Sequence, residues 1–95
     1  MSDKILGAYV LQATTGDGST YVEGLYRSES KAQATALTAA AVSIERFYNQ
    51  DRVLCRQGKT AGGFHEVYLE QVEADGPRGR RLRENWVIYR MPVQE

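Results

Sequence analysis

One stretch, "SESKAQATALTAAAVSIERFYNQ" at residues 28–50, limits what this chain can fold into more than any other. It contains no proline or glycine and is rich in alanine, the residue with the strongest intrinsic preference for helix. Leu37, Ala41, Ile44 and Tyr48 recur on one helical stripe, with Ala34, Ala40 and Phe47 beside it. Ser30 followed by Gln33 predicts a capping box at the start, and Asn49 is a C-terminal stop. The rest of the chain reads as short strands. A single helix can cover only one face of a sheet, so where both faces carry apolar residues the other face needs a second cover, such as a partner.

The strand readings run along the chain in order. Ile5 to Ala13 and Tyr21 to Arg27 flank "TTGDGST", a turn with two glycines around Asp17, which predicts a hairpin. Gly7 and Gly24 lie inside these strands and mark a bulge or a close approach of another element. After the helix, Arg52 to Gln57 is a short strand and "GKTAGG" a flexible turn. Phe64 to Glu73 and Leu82 to Met91 then flank an arginine-rich connection. With Gly76 and Pro77 in that connection, the register pairs Val67 with Ile88 and Leu69 with Trp86, leaving Tyr68, Val87 and Tyr89 on the opposite face. The expected fold is therefore α+β: a single two-layer domain over residues 1–95, with one long Ala-rich helix on a mainly antiparallel sheet in the order β-β-α-β-β-β.

Length and charge narrow the function. A chain of 95 residues forms one domain with a thin core. Twelve basic and 12 acidic residues cancel, whereas a dedicated nucleic-acid binder carries a positive surplus to displace counterions. Cys55 is the only cysteine, so no internal disulfide forms, and a small buried hydrophobe in a reducing compartment is expected. Ile5 to Leu11 is too short for a membrane span and lacks the flanks of a signal peptide, which predicts a cytoplasmic protein without membrane contact.

Groups for catalysis are sparse. One histidine and one cysteine cannot assemble the usual zinc sites, and His65 beside Glu66 on a strand points to the opposite face. Gly58, Lys59 and Thr60 match the end of a phosphate-binding loop, but Val53 occupies the required glycine position and strand residues follow. Glu66, Glu70 and Glu73 lie on a strand facing the arginines, where opposite charges hold register. The chain is expected not to be an enzyme and to take no cofactor and no metal.

The binding candidates lie elsewhere. Arg78, Arg80, Arg81 and Arg83 crowd six positions in "EADGPRGRRLREN", residues 73–85, placed at a hairpin tip with rim ion pairs to Glu70 and Glu73. Pro77, Arg78, Gly79 and Arg80 resemble the core of an AT-hook, and that resemblance implies arginines laid into a DNA minor groove. Arg81 stands where the usual second proline would be, and three acids, Glu70, Glu73 and Asp75, precede the segment. Six tyrosines and one tryptophan are many for so small a core. Tyr9, Tyr26 and Tyr48 are expected between helix and sheet, and Tyr21, Tyr68 and Tyr89 on the open sheet face, where such rings suit an interface.

In type, this small, neutral domain with its alanine-rich helix resembles phage or mobile-element accessory proteins, including anti-CRISPR inhibitors. That likeness implies a protein that inhibits a host complex by occupying its surface. The leading expectation is a non-enzymatic binding protein whose partner is a larger protein or nucleoprotein complex. Its contacts would be Arg78, Arg80, Arg81, Arg83, Tyr68 and Tyr89. One alternative is a nucleic-acid-binding module using the arginine hairpin. Another is a structural subunit of a homo-oligomeric assembly, such as a homodimer through the same face.

Overall fold

A computed structural model describes residues 8–72 and 79–91. Along the chain run β1 (Ala8–Thr14), β2 (Thr20–Tyr26), α1 (Glu29–Phe47), β3 (Val53–Lys59), β4 (His65–Val72) and β5 (Gly79–Met91). The five strands form one sheet in the order β2-β1-β5-β4-β3, and every pairing is antiparallel. With α1 against one face this is the two-layer α+β domain that the order of elements predicts. The last strand in sequence is thus the central one in space.

Two hairpin turns share one design. Thr15 N donates to Ser19 O at 2.8 Å and Gly18 N to Thr15 O at 3.0 Å. Thr60 N likewise donates to Phe64 O at 2.8 Å and Gly63 N to Thr60 O at 2.9 Å. Gly18 and Gly63 hold φ of 94° and 88°, a left-handed conformation that a side chain disfavours. "GKT" therefore ends a strand and opens a tight turn; its Thr60 Oγ1 also accepts from Phe64 N at 3.2 Å, in place of the flexible connection expected there. In the first turn Asp17 Oδ1 accepts from Ser19 N at 2.9 Å and from the Thr15 hydroxyl. At Gly24 the β1–β2 ladder carries an irregularity, and the Tyr26 ring lies across the space a Cβ would occupy. Gly7 lies outside the described residues.

The helix begins earlier than the Ser30–Gln33 box suggests. Ser28, in extended backbone, is the N-cap, and its Oγ accepts from Lys31 N at 3.2 Å. The buried stripe also differs: Ala32, Ala36, Ala40 and Ser43 face the sheet, with Ala39, Ile44 and Tyr48 partly buried. Leu37 and Ala41 point outward. Hydrophobicity alone turns Leu37 inward, but the sheet already supplies the bulk through Leu11, Val67, Leu69, Trp86 and Ile88. Side chains that stop at Cβ let the helix axis approach those residues closely, and dense packing leaves no room for more.

The β4–β5 register pairs Val67 with Trp86 and His65 with Ile88, two residues away from the expected pairing. A bulge makes the offset differ along the ladder: it is two residues here and four on the turn side, where Glu70 pairs with Arg81. Between Tyr68 and Glu70 the fourth strand advances two residues, while the fifth advances four, from Asn85 to Arg81. Because the offset is even, each side chain keeps the face predicted for it. Cys55, expected to be buried, is exposed on edge strand β3, and partial burial of its thiol pushes the pKa up. No helix among the described residues is long and apolar enough to cross a membrane.

Two outcomes test this account. Ala36→Leu should cost about 1–3 kcal/mol in urea unfolding by overpacking the helix–sheet contact, whereas Leu37→Ala should cost less than about 1 kcal/mol. In the first turn, the Thr15 hydroxyl and then the Ser19 amide hold the Asp17 carboxyl at about 2, below the ordinary 3.8. A depressed folded pKa means that the turn is fully stabilised above about pH 4 and loses that support as the pH falls towards 2. The Ser19 amide proton should shift upfield over that window by NMR, and Asp17→Asn, which keeps the acceptor, should remove the transition.

Candidate functional site

Strand alternation sorts the sheet into two chemistries. Facing α1 are Leu11, Ala13, Val53, Val67, Leu69, Trp86 and Ile88. Their neighbours one residue along point away from the helix. On this uncovered face Tyr68 pairs with Asn85, Glu66 with Val87, and Val10 with Tyr89. Val22, Leu25, Leu54 and Met91 share it and are exposed, Leu25 at 69%. Phe64 and Tyr89 stack at 4.7 Å between ring centroids, tilted by 56°.

A charged group sits at the centre of this face. Glu66 is only 3% exposed although no layer covers it, because the side chains around it fold over its carboxylate. Arg81 donates from Nη2 to Glu66 Oε2, and Asn85 Nδ2 donates to the same oxygen at 2.7 Å. The Arg81 guanidinium lies 4.4 Å from the centroid of the Tyr68 ring, so it is held by a cation–π contact as well as by the carboxylate. To get there it passes its cross-strand neighbour Glu70. Glu70 instead accepts from Arg56 Nε at 2.8 Å. Both carboxylates are therefore neutralised within the sheet, and the face as a whole is not basic.

One polar atom is left over. Asn85 Oδ1 is buried and has no hydrogen-bond partner among the described residues. The amide orientation is set by the Nδ2 bond to Glu66, since a carboxylate oxygen can only accept. A buried acceptor without a donor is costly, and such atoms are rare in native proteins.

The expected contact residues separate. Tyr68, Tyr89 and Arg81 meet on the uncovered face. Arg80 is paired in β5 opposite Gln71, on the helix side, and donates to Gln71 Oε1 at 3.1 Å. Exposed Arg83 lies near the Gly18 turn. Arg78, like Pro77, Glu73 and Asp75, lies outside the described residues, while Gly79 and Arg80 belong to a strand and not to a hairpin tip. Glu70 pairs with Arg56 and Arg81 with Glu66, in place of the rim pair expected at Glu70; the pair expected at Glu73 lies outside the described residues. Tyr9, Tyr26 and Tyr48 pack against the core as expected. Tyr21 does not join the open face: it pairs with core residue Ala13 and its hydroxyl donates to Glu23 at 3.0 Å. Burial and the nearby Glu23 carboxylate raise its pKa.

Sequence reasoning missed Asn85 and the role of Glu66. The available signal was parity with Tyr68 and Tyr89, two or four residues away on the same strands. On the helix side, Ser43 Oγ donates to Glu84 Oε1 at 2.7 Å, and burial together with Glu84 raises the Tyr48 pKa. His65 pairs with Gln57 at 3.1 Å on the face opposite Glu66. No group of three or more His, Cys, Asp or Glu side chains among the described residues is placed to hold a metal ion. Comparison of the chain with models of protein families, with curated proteins and with solved structures gives no match.

Removing Arg81 should be worse than removing the charge it serves. Arg81→Ala leaves Glu66 desolvated and unpaired and should cost about 1–3 kcal/mol by urea unfolding, discounted for the half-exposed guanidinium. Adding Glu66→Gln to Arg81→Ala should recover part of that loss.

Proposed function

We propose that this chain is a non-enzymatic binding protein that lays its uncovered sheet face against a larger protein or nucleoprotein complex. Its setting would be cytoplasmic, in the manner of small phage or mobile-element accessory inhibitors. The observation that carries this reading is the uncovered face itself. Val22, Leu25, Leu54 and Met91 are exposed around Phe64, Tyr68 and Tyr89, an arrangement that marks interaction surfaces more often than plain solvent-facing sheet. Rigid rings lose little conformational freedom on binding, and the Glu66–Arg81–Asn85 group holds Tyr68 in place beforehand.

The nucleic-acid alternative would need cations free to meet phosphates. Arg81 is committed to Glu66 and Arg56 to Glu70, which weakens that reading for this face.

The test is affinity capture from the native host with wild type and two variants. Leu25→Glu with Tyr89→Ala should abolish recovery of the stoichiometric partner, while Arg80→Glu, on the helix side, should leave it largely intact. Arg81 is a poor probe because its reversal would set a second carboxylate beside the buried Glu66 and leave that charge unpaired. Undiminished capture by the folded Leu25→Glu/Tyr89→Ala variant would refute the reading. Salt-sensitive binding to duplex DNA or RNA in a gel shift would favour the alternative.

A further inference from the structure

The outer face of α1 is a second unpartnered surface, independent of the sheet-face reading. Lys31, Ala34, Thr38, Ala41 and Glu45 are all exposed and follow one another at intervals of three and four residues. That spacing lines one seam of a helix, as at the contact positions of a coiled coil. Leu37 and Val42 flank it and are 36% and 40% exposed. From residue 32 to residue 44 the helix carries no charge at all. Thr35 adds no polarity, because its hydroxyl donates back to Lys31 O at 3.0 Å. An exposed helix face in a small domain is ordinarily strewn with charges.

The charges at its two ends say what covers it. On the seam there are only Lys31 near the start and Glu45 near the end, about 21 Å apart. Among the described residues neither forms an ion pair. A second copy of the same helix, laid antiparallel about Thr38, puts Lys31 against Glu45 at both ends of the contact. A parallel copy would set lysine against lysine and glutamate against glutamate. The same antiparallel pairing puts Leu37 on the flank of the contact that carries Ala34 and Ala41 of the second copy. It brings Val42 opposite Ala34. Small residues along the seam allow the helices to approach closely, and opposed macrodipoles favour that orientation.

We infer that the outer face of α1 is a homodimer interface, in which two copies pair their helices antiparallel about Thr38 and leave both sheet faces free. One 19-residue helix, about 28 Å long, offers a small contact, so the dimer is weak and concentration-dependent.

Sedimentation equilibrium of the full chain up to about 500 µM, a range suited to weak small-interface dimers, tests this. Wild type should shift reversibly from monomer to dimer. Lys31→Glu and Glu45→Lys should each weaken association about tenfold or more, and the two together should restore it, since the pair is exchanged intact. With Cys55→Ser as background, Thr38→Cys should give a disulfide-linked dimer under mild oxidation. Leu25→Glu with Tyr89→Ala should leave the dimer unchanged. Lys31, Thr38, Glu45 and Cys55 are exposed, so circular dichroism and urea midpoints of their variants should match the parent protein. A wild type that stays monomeric throughout would overturn the inference. So would a double charge exchange no better than either single change, or a dimer lost through Leu25→Glu/Tyr89→Ala but not through the helix variants.

Discussion

The pairing of β5 with β1 on one side and β4 on the other is the contact on which the rest of this structure depends. β5 joins the β1–β2 hairpin to the β3–β4 hairpin, which otherwise share no strand pairing. It also carries Trp86 and Ile88 into the helix contact and Asn85 and Val87 onto the opposite face. The element that closes the sheet therefore also builds both of its surfaces. Long-range pairing of this kind is entropically costly to form, and it is retained here because it buries Leu11, Val67, Leu69 and Ile88 completely.

With one helix, the sheet cannot be buried twice. The side chains compensate differently on the two faces. Under α1 small helix residues meet large sheet residues and both are buried. On the far side Arg81 lies over Tyr68 to reach Glu66, so a desolvated carboxylate is paired, hydrogen-bonded and still close to water. The bulge between Tyr68 and Glu70 makes this possible. It sets Arg81 opposite Glu70, while alternation along β5 puts Glu84 with Ser43 on the helix side and Arg81 with Asn85 on the other. A neutral chain thus carries a neutral face whose charges are committed and whose apolar groups are presented.

The arginine segment shows how far composition can mislead. Four arginines in six residues suggest a single basic finger, yet the described three have separate surroundings. Arg80 meets Gln71, Arg81 meets Glu66, and Arg83 lies beside the Gly18 turn. Neighbours on a strand point to opposite faces, so a run of like residues is divided as soon as the strand pairs. The same rule makes the aromatic side of the candidate site legible: alternation puts Tyr68 and Tyr89 on the uncovered face, whereas Tyr21 follows its strand partner, the core residue Ala13.

By itself the sequence determined the element order, the single helix and its consequence that one sheet face lacks a helical cover. These follow from local propensity, periodicity and turn chemistry, which neighbouring residues largely decide among themselves. Ser28 as the cap, the alanine stripe facing inward and the two-residue change of register were decided only by the tertiary structure. Each depends on groups far apart in the chain: Leu37 turns outward because Trp86 and Leu69 already fill the space beneath the helix, and Arg81 passes Glu70 because Glu66 is the more deeply buried carboxylate. Packing volume and desolvation act between elements, so they are settled only when those elements meet.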